Sequence, residues 1–157
     1  MTTLKKILLV SVGLITVGGI YAWQKIQKLK AIFDKIEMAP VDISNLHLDG
    51  KLEYVSFNCD VKMTNPTNDD FFVTGSVLAD LKQILFYYKG KYIATSDVNM
   101  NELSIPAKSF VIIKKIYVQV NFDTAIDLLP EAMNFSMNNI TCTAKVQALG
   151  SEFLIEN

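Results

Sequence analysis

The 157 residues balance 15 Lys and Arg against 16 Asp and Glu, and this net charge of −1 excludes the strongly basic character of most nucleic-acid-binding proteins. Every basic residue is Lys, so the side chain that usually forms bidentate contacts with guanine or phosphate is missing. The single histidine, His47, and two cysteines leave too few ligands for a zinc site, and no GxSxG-type elbow is present. We therefore expect no metal, no cofactor and no catalytic triad, and we interpret His47 as a surface or edge-strand residue.

An uncharged apolar run near the N-terminus predicts a transmembrane helix. Residues 7–23, seventeen positions without a charge, would cover about 25 Å of a hydrocarbon core about 30 Å thick. The anchoring side chains are Ile7, Leu8, Leu9, Val10, Val12, Leu14, Ile15, Val17, Ile20, Tyr21 and Trp23. A cleaved signal peptide is the alternative, but the run exceeds the usual apolar region and Ile20 makes a poor cleavage site. We expect a single-pass protein that keeps its anchor.

The stalk, residues 25–38, is predicted to continue this helix to Met38. Four apolar residues spaced by three, four and three positions form one helical stripe: Ile26, Leu29, Phe33 and Ile36. The stripe fits packing on the following domain or on the lipid surface, and it also fits a short coiled-coil seam that joins copies into a homo-oligomer. Residues 1–40 carry six Lys against two acidic residues, a charge that suits anionic headgroups.

Residues 40–150 alternate between apolar and polar side chains, as antiparallel strands do. Residues 55–63 are apolar at odd and polar at even positions. Further strands are predicted at 71–78, 85–88, 91–95 and 140–148, together with a long strand that residues 105–108 open and that runs to 122. A hairpin turn is predicted at Lys89–Gly90, and a helix over 123–129 that ends at Pro130. About seven strands and one short helix predict a mainly β, antiparallel β-sandwich, with 1–39 as the anchor and stalk and 151–157 as a C-terminal tail.

One predicted strand has a fault in its alternation. The apolar positions from Ile116 to Phe122 share one face, but the same phase carried backwards would bury Lys114. A β-bulge at Lys114–Lys115 would return Val111 and Ile113 to the core side and leave both ammonium groups in solvent.

The two cysteines, Cys59 and Cys142, both fall on apolar faces of predicted strands. Two interpretations remain open: buried free thiols, or a disulfide between the sheets in an oxidising compartment.

Three short motifs carry a resemblance to a known family. They are the strand ending in Asn65-Pro66-Thr67, the segment YYKGKYIA at residues 87–94, and Ile105-Pro106-Ala107 before an apolar strand. Over roughly residues 41–150 the chain resembles the late embryogenesis abundant type-2 family, also called the water-stress and hypersensitive-response domain. The resemblance implies a fibronectin-III/immunoglobulin-like sandwich with a helix before the last strand, no active site, and a role in desiccation or stress protection. The chain is also similar to anchored domains of bacteria and their phages.

Together these patterns predict a non-enzymatic structural or adaptor protein at a membrane surface, in a bacterial envelope or in the lipid layer of a membrane-containing virion. The expected partners are the lipid bilayer and another protein, such as a shell or envelope component, and not nucleic acid. Polar residues of two loops are the expected contacts: Asn65, Thr67, Asn68, Asp69, Asp70, Lys108 and Ser109. The alternatives are a module that binds a lipid or another apolar ligand between its sheets, and a stress-protection protein.

Overall fold

The computed structural model describes residues 23–24, 27–28, 30–74, 80–132, 136–148 and 151–155. Within these ranges, no helix combines the length and the apolar character needed to cross a bilayer. The predicted anchor lies outside them except for Trp23, whose side chain is exposed. Ile26 and Leu29 of the stalk stripe also lie outside the described residues.

The described chain is mainly antiparallel β structure, which confirms the predicted class. Its strands are β1 Glu37–Leu48, β2 Tyr54–Asn65, β3 Phe71–Thr74, β4 Asp80–Tyr88, β5 Lys91–Met100, β6 Glu102–Ile105, β7 Ser109–Asn121, β8 Ile140–Ala148 and β9 Ser151–Ile155, with helix α1 at Phe122–Ala132. One sheet has the order β1-β2-β7 and another β5-β4-β8-β9, while β3 pairs with β6. The alternating buried positions of β2, β4, β7 and β8 belong to one apolar core, the arrangement of a β-sandwich.

The bulge predicted in β7 is confirmed. Cys59 pairs with Ile116 and Val61 with Ile113, so Lys114 and Lys115 together oppose the single residue Asp60. Lys115 has a positive φ of 57°, and its amide donates a hydrogen bond of 2.7 Å to the Asp60 carboxylate. Ile113 is buried and both lysines are exposed.

The stalk enters the core before the first strand begins. The prediction of a helix to Met38 is wrong, because helical structure ends at Phe33 and Glu37 already starts β1. The amide of Asp34 still bonds to the carbonyl four residues back, whereas those of Lys35 and Ile36 bond three residues back, which tightens the final turn. Four side chains that precede Pro40 are buried in the core: Ile32, Phe33, Ile36 and Met38. Among the described residues, the core of the domain therefore begins at Ile32.

The twelve-residue strand β1 is an edge of its sheet and is irregular. Its pairing with β2 shifts between Pro40 and Asp42 and again between Ser44 and His47. The second shift contains Asn45, whose φ is 53°. His47 is exposed on this edge strand, as predicted.

One predicted turn is present in the structure, whereas one predicted helix end and the predicted C-terminal tail differ from it. The hairpin turn at Lys89–Gly90 is confirmed, with φ of 48° and 79° at its two residues, as a type I′ turn requires. The prediction that the helix ends at Pro130 is wrong, because α1 runs to Ala132 and contains Pro130, whose missing amide hydrogen leaves out one bond within the helix. Residues 151–155, expected to be a tail, form β9 on the edge of β8 and bury Ile155.

Candidate contact surfaces

The two loops predicted to make contacts lie together at the end of the domain where the stalk enters. Their junction is Asn65, which is fully buried. Its amide nitrogen donates to the carbonyls of Asp69, at 2.9 Å, and Ile105, at 3.0 Å. Its side-chain oxygen accepts from the amide and the hydroxyl of Thr67. Asn65 therefore shapes the loops and is unavailable to a partner, because every hydrogen-bonding position of its side chain is used.

Further hydrogen bonds join the two loops directly. The Asp70 carboxylate accepts from the amide of Ala107 at 2.8 Å. Lys108 donates its ammonium group to the carbonyl of Pro66 at 2.6 Å and its amide to the carbonyl of Thr67 at 3.1 Å. Four of the residues predicted to make contacts stay exposed: Asn68, Asp69, Asp70 and Lys108. Because both loops are fixed against each other, they present one preformed surface.

Between this surface and the stalk lies a cleft, open to solvent, of about 720 Å³. Its lining residues are Asp34, Lys35, Ile36, Glu37, Pro66, Thr67, Asn68, Asp69 and Lys108. Most of these side chains are charged or polar, so the cleft suits a polar chain segment better than an acyl chain.

A second surface, which we call the distal tip, lies at the other end of the β1–β2 hairpin. It consists of three leucines that are 74%, 49% and 51% exposed: Leu46, Leu48 and Leu52. The strand β1 has twelve residues, so the tip is about 36 Å from the stalk end. The helix α1 begins beside it, since the amide of Phe122 donates to the carbonyl of Glu53. One turn further along, α1 exposes Ile126.

The distal tip was missed by reasoning from the sequence. Leu46, His47 and Leu48 alternate like any half-buried strand, and nothing in that alternation says that the leucines face water. The available signal was the neighbouring composition, because Asp49, Gly50 and Lys51 mark a turn and Leu52 follows it immediately.

The titratable groups of the described residues offer little chemistry. Cys59 and Cys142 are free, buried thiols. Burial raises the pKa of each to about 12, helped at Cys59 by the carboxylates of Asp60 and Asp42 and at Cys142 by repulsion from the Cys59 thiolate once that forms. Neutral thiols of this kind are poor nucleophiles. Among the described residues, no three His, Cys, Asp or Glu side chains are grouped to hold a metal ion.

Comparison with known proteins leaves the family of the chain open. No protein-family model matches it, and no curated protein matches it either. A crystal structure of a protein from Archaeoglobus fulgidus is similar over 78% of this chain and 91% of its own, with 11% sequence identity and a TM-score of 0.32. A likeness at that level supports no functional argument.

Proposed function

We propose that this chain is a non-enzymatic structural or adaptor protein, anchored in a membrane by residues 7–23, whose β-sandwich contacts another protein at the membrane surface. A bacterial envelope and the lipid layer of a virion are the two settings that fit, with a shell or envelope component as the partner. A fibronectin-III-like sandwich of the late embryogenesis abundant type-2 kind suits this role, because it presents loops and edges without needing an active site.

The observation that carries the proposal is the burial of the stalk. Phe33 and Ile36 are each 2% exposed, although they precede the first strand. A chain segment that leads from an anchor and packs into the core couples the two mechanically, so a force on the domain reaches the membrane. This burial also favours packing on the domain over a coiled-coil seam, because half of the stripe is already covered.

The chemistry of the described residues supports a contact role over catalysis. His47 is exposed on an edge strand, and the two thiols are buried with raised pKa values. The stalk-end cleft is lined mostly by charged and polar side chains, so it is not a site for the apolar ligand of the alternative, which would lie between the sheets.

Membrane fractionation of the full-length protein, with cross-linking in its native assembly, tests the proposal. We expect the protein to stay with the membrane after an alkaline carbonate wash, and intact-mass analysis to find residues 1–23 retained. Deleting residues 1–23, which spares the stalk, should release the protein, while the matched variant Trp23→Phe should stay bound. We also expect lysine-directed cross-links between the domain and another protein. Release of the full-length protein by carbonate, or a mature chain that starts near Trp23, would contradict the anchor.

A further inference from the structure

The distal tip exposes between about half and three quarters of each of its three leucine side chains. The register shift between Ser44 and His47 places two residues of β1 opposite one of β2 and leaves Leu46 74% exposed. Leu52 has a φ of 59°, a conformation that glycine or asparagine adopts with less strain than a bulky side chain. Leu46 therefore gains little from burial on folding, and Leu52 is held in a strained backbone conformation.

The charges around the distal tip are predominantly negative. Asp49 and Glu53 lie in the hairpin, and Asp123 and Asp127 lie on the first turns of α1. Residues 46–54 and 121–127 thus contain four carboxylates against one ammonium group, that of Lys51. The Lys89–Gly90 turn belongs to the β4–β5 hairpin of the other sheet, where the amide of Lys89 donates to the carbonyl of Asn139.

We propose that the distal tip inserts its leucines into an apolar pocket of a partner protein, and that the rim of that pocket carries Lys or Arg side chains. This inference rests on the proposed adaptor function and names the surface that performs it. An apolar centre with an acidic border is complementary to an apolar pocket with a basic border, and such complementarity speeds association and selects the partner.

The same charges disfavour the two other occupants of an apolar tip. Anionic headgroups would be repelled by the carboxylates of Asp49 and Glu53. A second copy docked tip to tip would bring like charges together, which opposes a symmetric contact. The length of β1 also argues against insertion into lipid, because it holds the tip away from the stalk end and so from the proposed anchor.

Site-specific photo-cross-linking of the full-length protein in its native membrane tests the proposal. Leu46 is replaced by p-benzoylphenylalanine, with a matched probe at Tyr117, a side chain of similar size that is 55% exposed on β7. We expect the probe at position 46 to link to a peptide of another protein that is apolar and flanked by Lys or Arg, and the probe at position 117 to give at most a tenth of that yield.

Two variants separate contact from folding. Leu52→Asn removes apolar surface but suits the positive φ, so we expect unchanged or higher thermal stability and about tenfold less cross-linking from position 46. Glu53→Lys reverses one border charge and should also lower the yield, with a loss that shrinks as salt is raised.

The outcomes distinguish this inference from the proposed function. Products at position 46 that contain lipid or a second copy of the chain would overturn the inference. So would an absence of product there while probes at Thr67 or Lys108 link to another protein, a result that would leave the adaptor function standing. If none of the probes at positions 46, 67 and 108 links to another protein, both the inference about the distal tip and the adaptor function are overturned.

Discussion

The rings of Phe33 and Phe71 meet edge to face, with their centroids 4.7 Å apart and their planes at 63°. Phe33 belongs to the stalk, and Phe71 opens β3 directly after the loop that Asn65 holds in place. Both side chains are buried, and such aromatic pairs contribute about 0.5–1.5 kcal/mol beyond the area that they bury. The stalk is therefore part of the hydrophobic core.

A fragment of residues 30–157 should fold, whereas a fragment of residues 39–157 should not. The shorter one lacks four core side chains: Ile32, Phe33, Ile36 and Met38. Far-ultraviolet circular dichroism and dispersion of the amide NMR signals would measure the difference. A well-dispersed spectrum from residues 39–157 would contradict the assignment of the stalk to the core.

Within the longer fragment, Phe33→Ala should lower the free energy of unfolding by about 3–5 kcal/mol, because it leaves a cavity against Phe71. Lys35→Ala is the matched control, since Lys35 is exposed in the same segment. It should change the free energy by less than about 0.5 kcal/mol in urea unfolding. Equal losses from both substitutions would show that Phe33 is not part of the core.

Asn65→Ala should destabilise the same fragment by about 2–4 kcal/mol, because the carbonyls of Asp69 and Ile105 and both donors of Thr67 lose their partner. The exposed neighbour Asn68 provides the control, and Asn68→Ala should be nearly neutral. Urea unfolding measures both. If Asn65→Ala proved neutral, the buried hydrogen-bond network would not be what holds the two loops.

Substituting glycine for each of the two adjacent lysines of the bulge should change the stability of the fold in opposite directions. Lys115 has a φ of 57°, so Lys115→Gly relieves strain and should raise stability by about 0.5–1 kcal/mol. Lys114 has no positive φ, so Lys114→Gly should lower stability by a similar amount through the greater entropy of the unfolded chain. Thermal melts of the two variants would show the contrast, and shifts of the same sign would contradict the bulge geometry.

Stability should fall above pH 9 because of the two buried thiols. Burial raises the pKa of Cys59 and Cys142 from 9.0 to about 12, so between these values the unfolded chain loses thiol protons that the folded chain keeps. The stabilisation is complete below pH 9 and is lost as the pH rises, at about 1.4 kcal/mol per pH unit for each thiol. The double variant Cys59→Ala/Cys142→Ala should be less stable at pH 8 but should decline less steeply. Identical slopes in urea unfolding would refute the role of the thiols.

Regular alternation made part of this fold predictable from the sequence. The alternation of β7 would bury Lys114 unless the strand bulged there. Burying a charge costs more free energy than bending a strand, so the sequence predicted the bulge. Gly90 located the hairpin turn, and the even apolar positions of residues 140–148 located β8.

The end of the stalk helix was not predictable in the same way. The spacing of Phe33 and Ile36 fits a helix, but Ile36 and Met38 also alternate as in a strand, and burial in the core decided between the two patterns. The distal tip was hidden for a related reason. Its leucines have the composition of core residues, and nothing in their alternation marks the register shift of β1 that contains Leu46.

The interruptions of β1 affect how closely copies of this protein can be crowded together. Its register with β2 is continuous only over Glu37–Pro40, Asp42–Ser44 and His47–Leu48, and Pro40 has no amide hydrogen to donate. A strand from a neighbouring molecule would therefore find no long ladder along β1 on which to polymerise. For a chain concentrated in the plane of a membrane, as we propose, this edge opposes strand-by-strand aggregation of crowded copies.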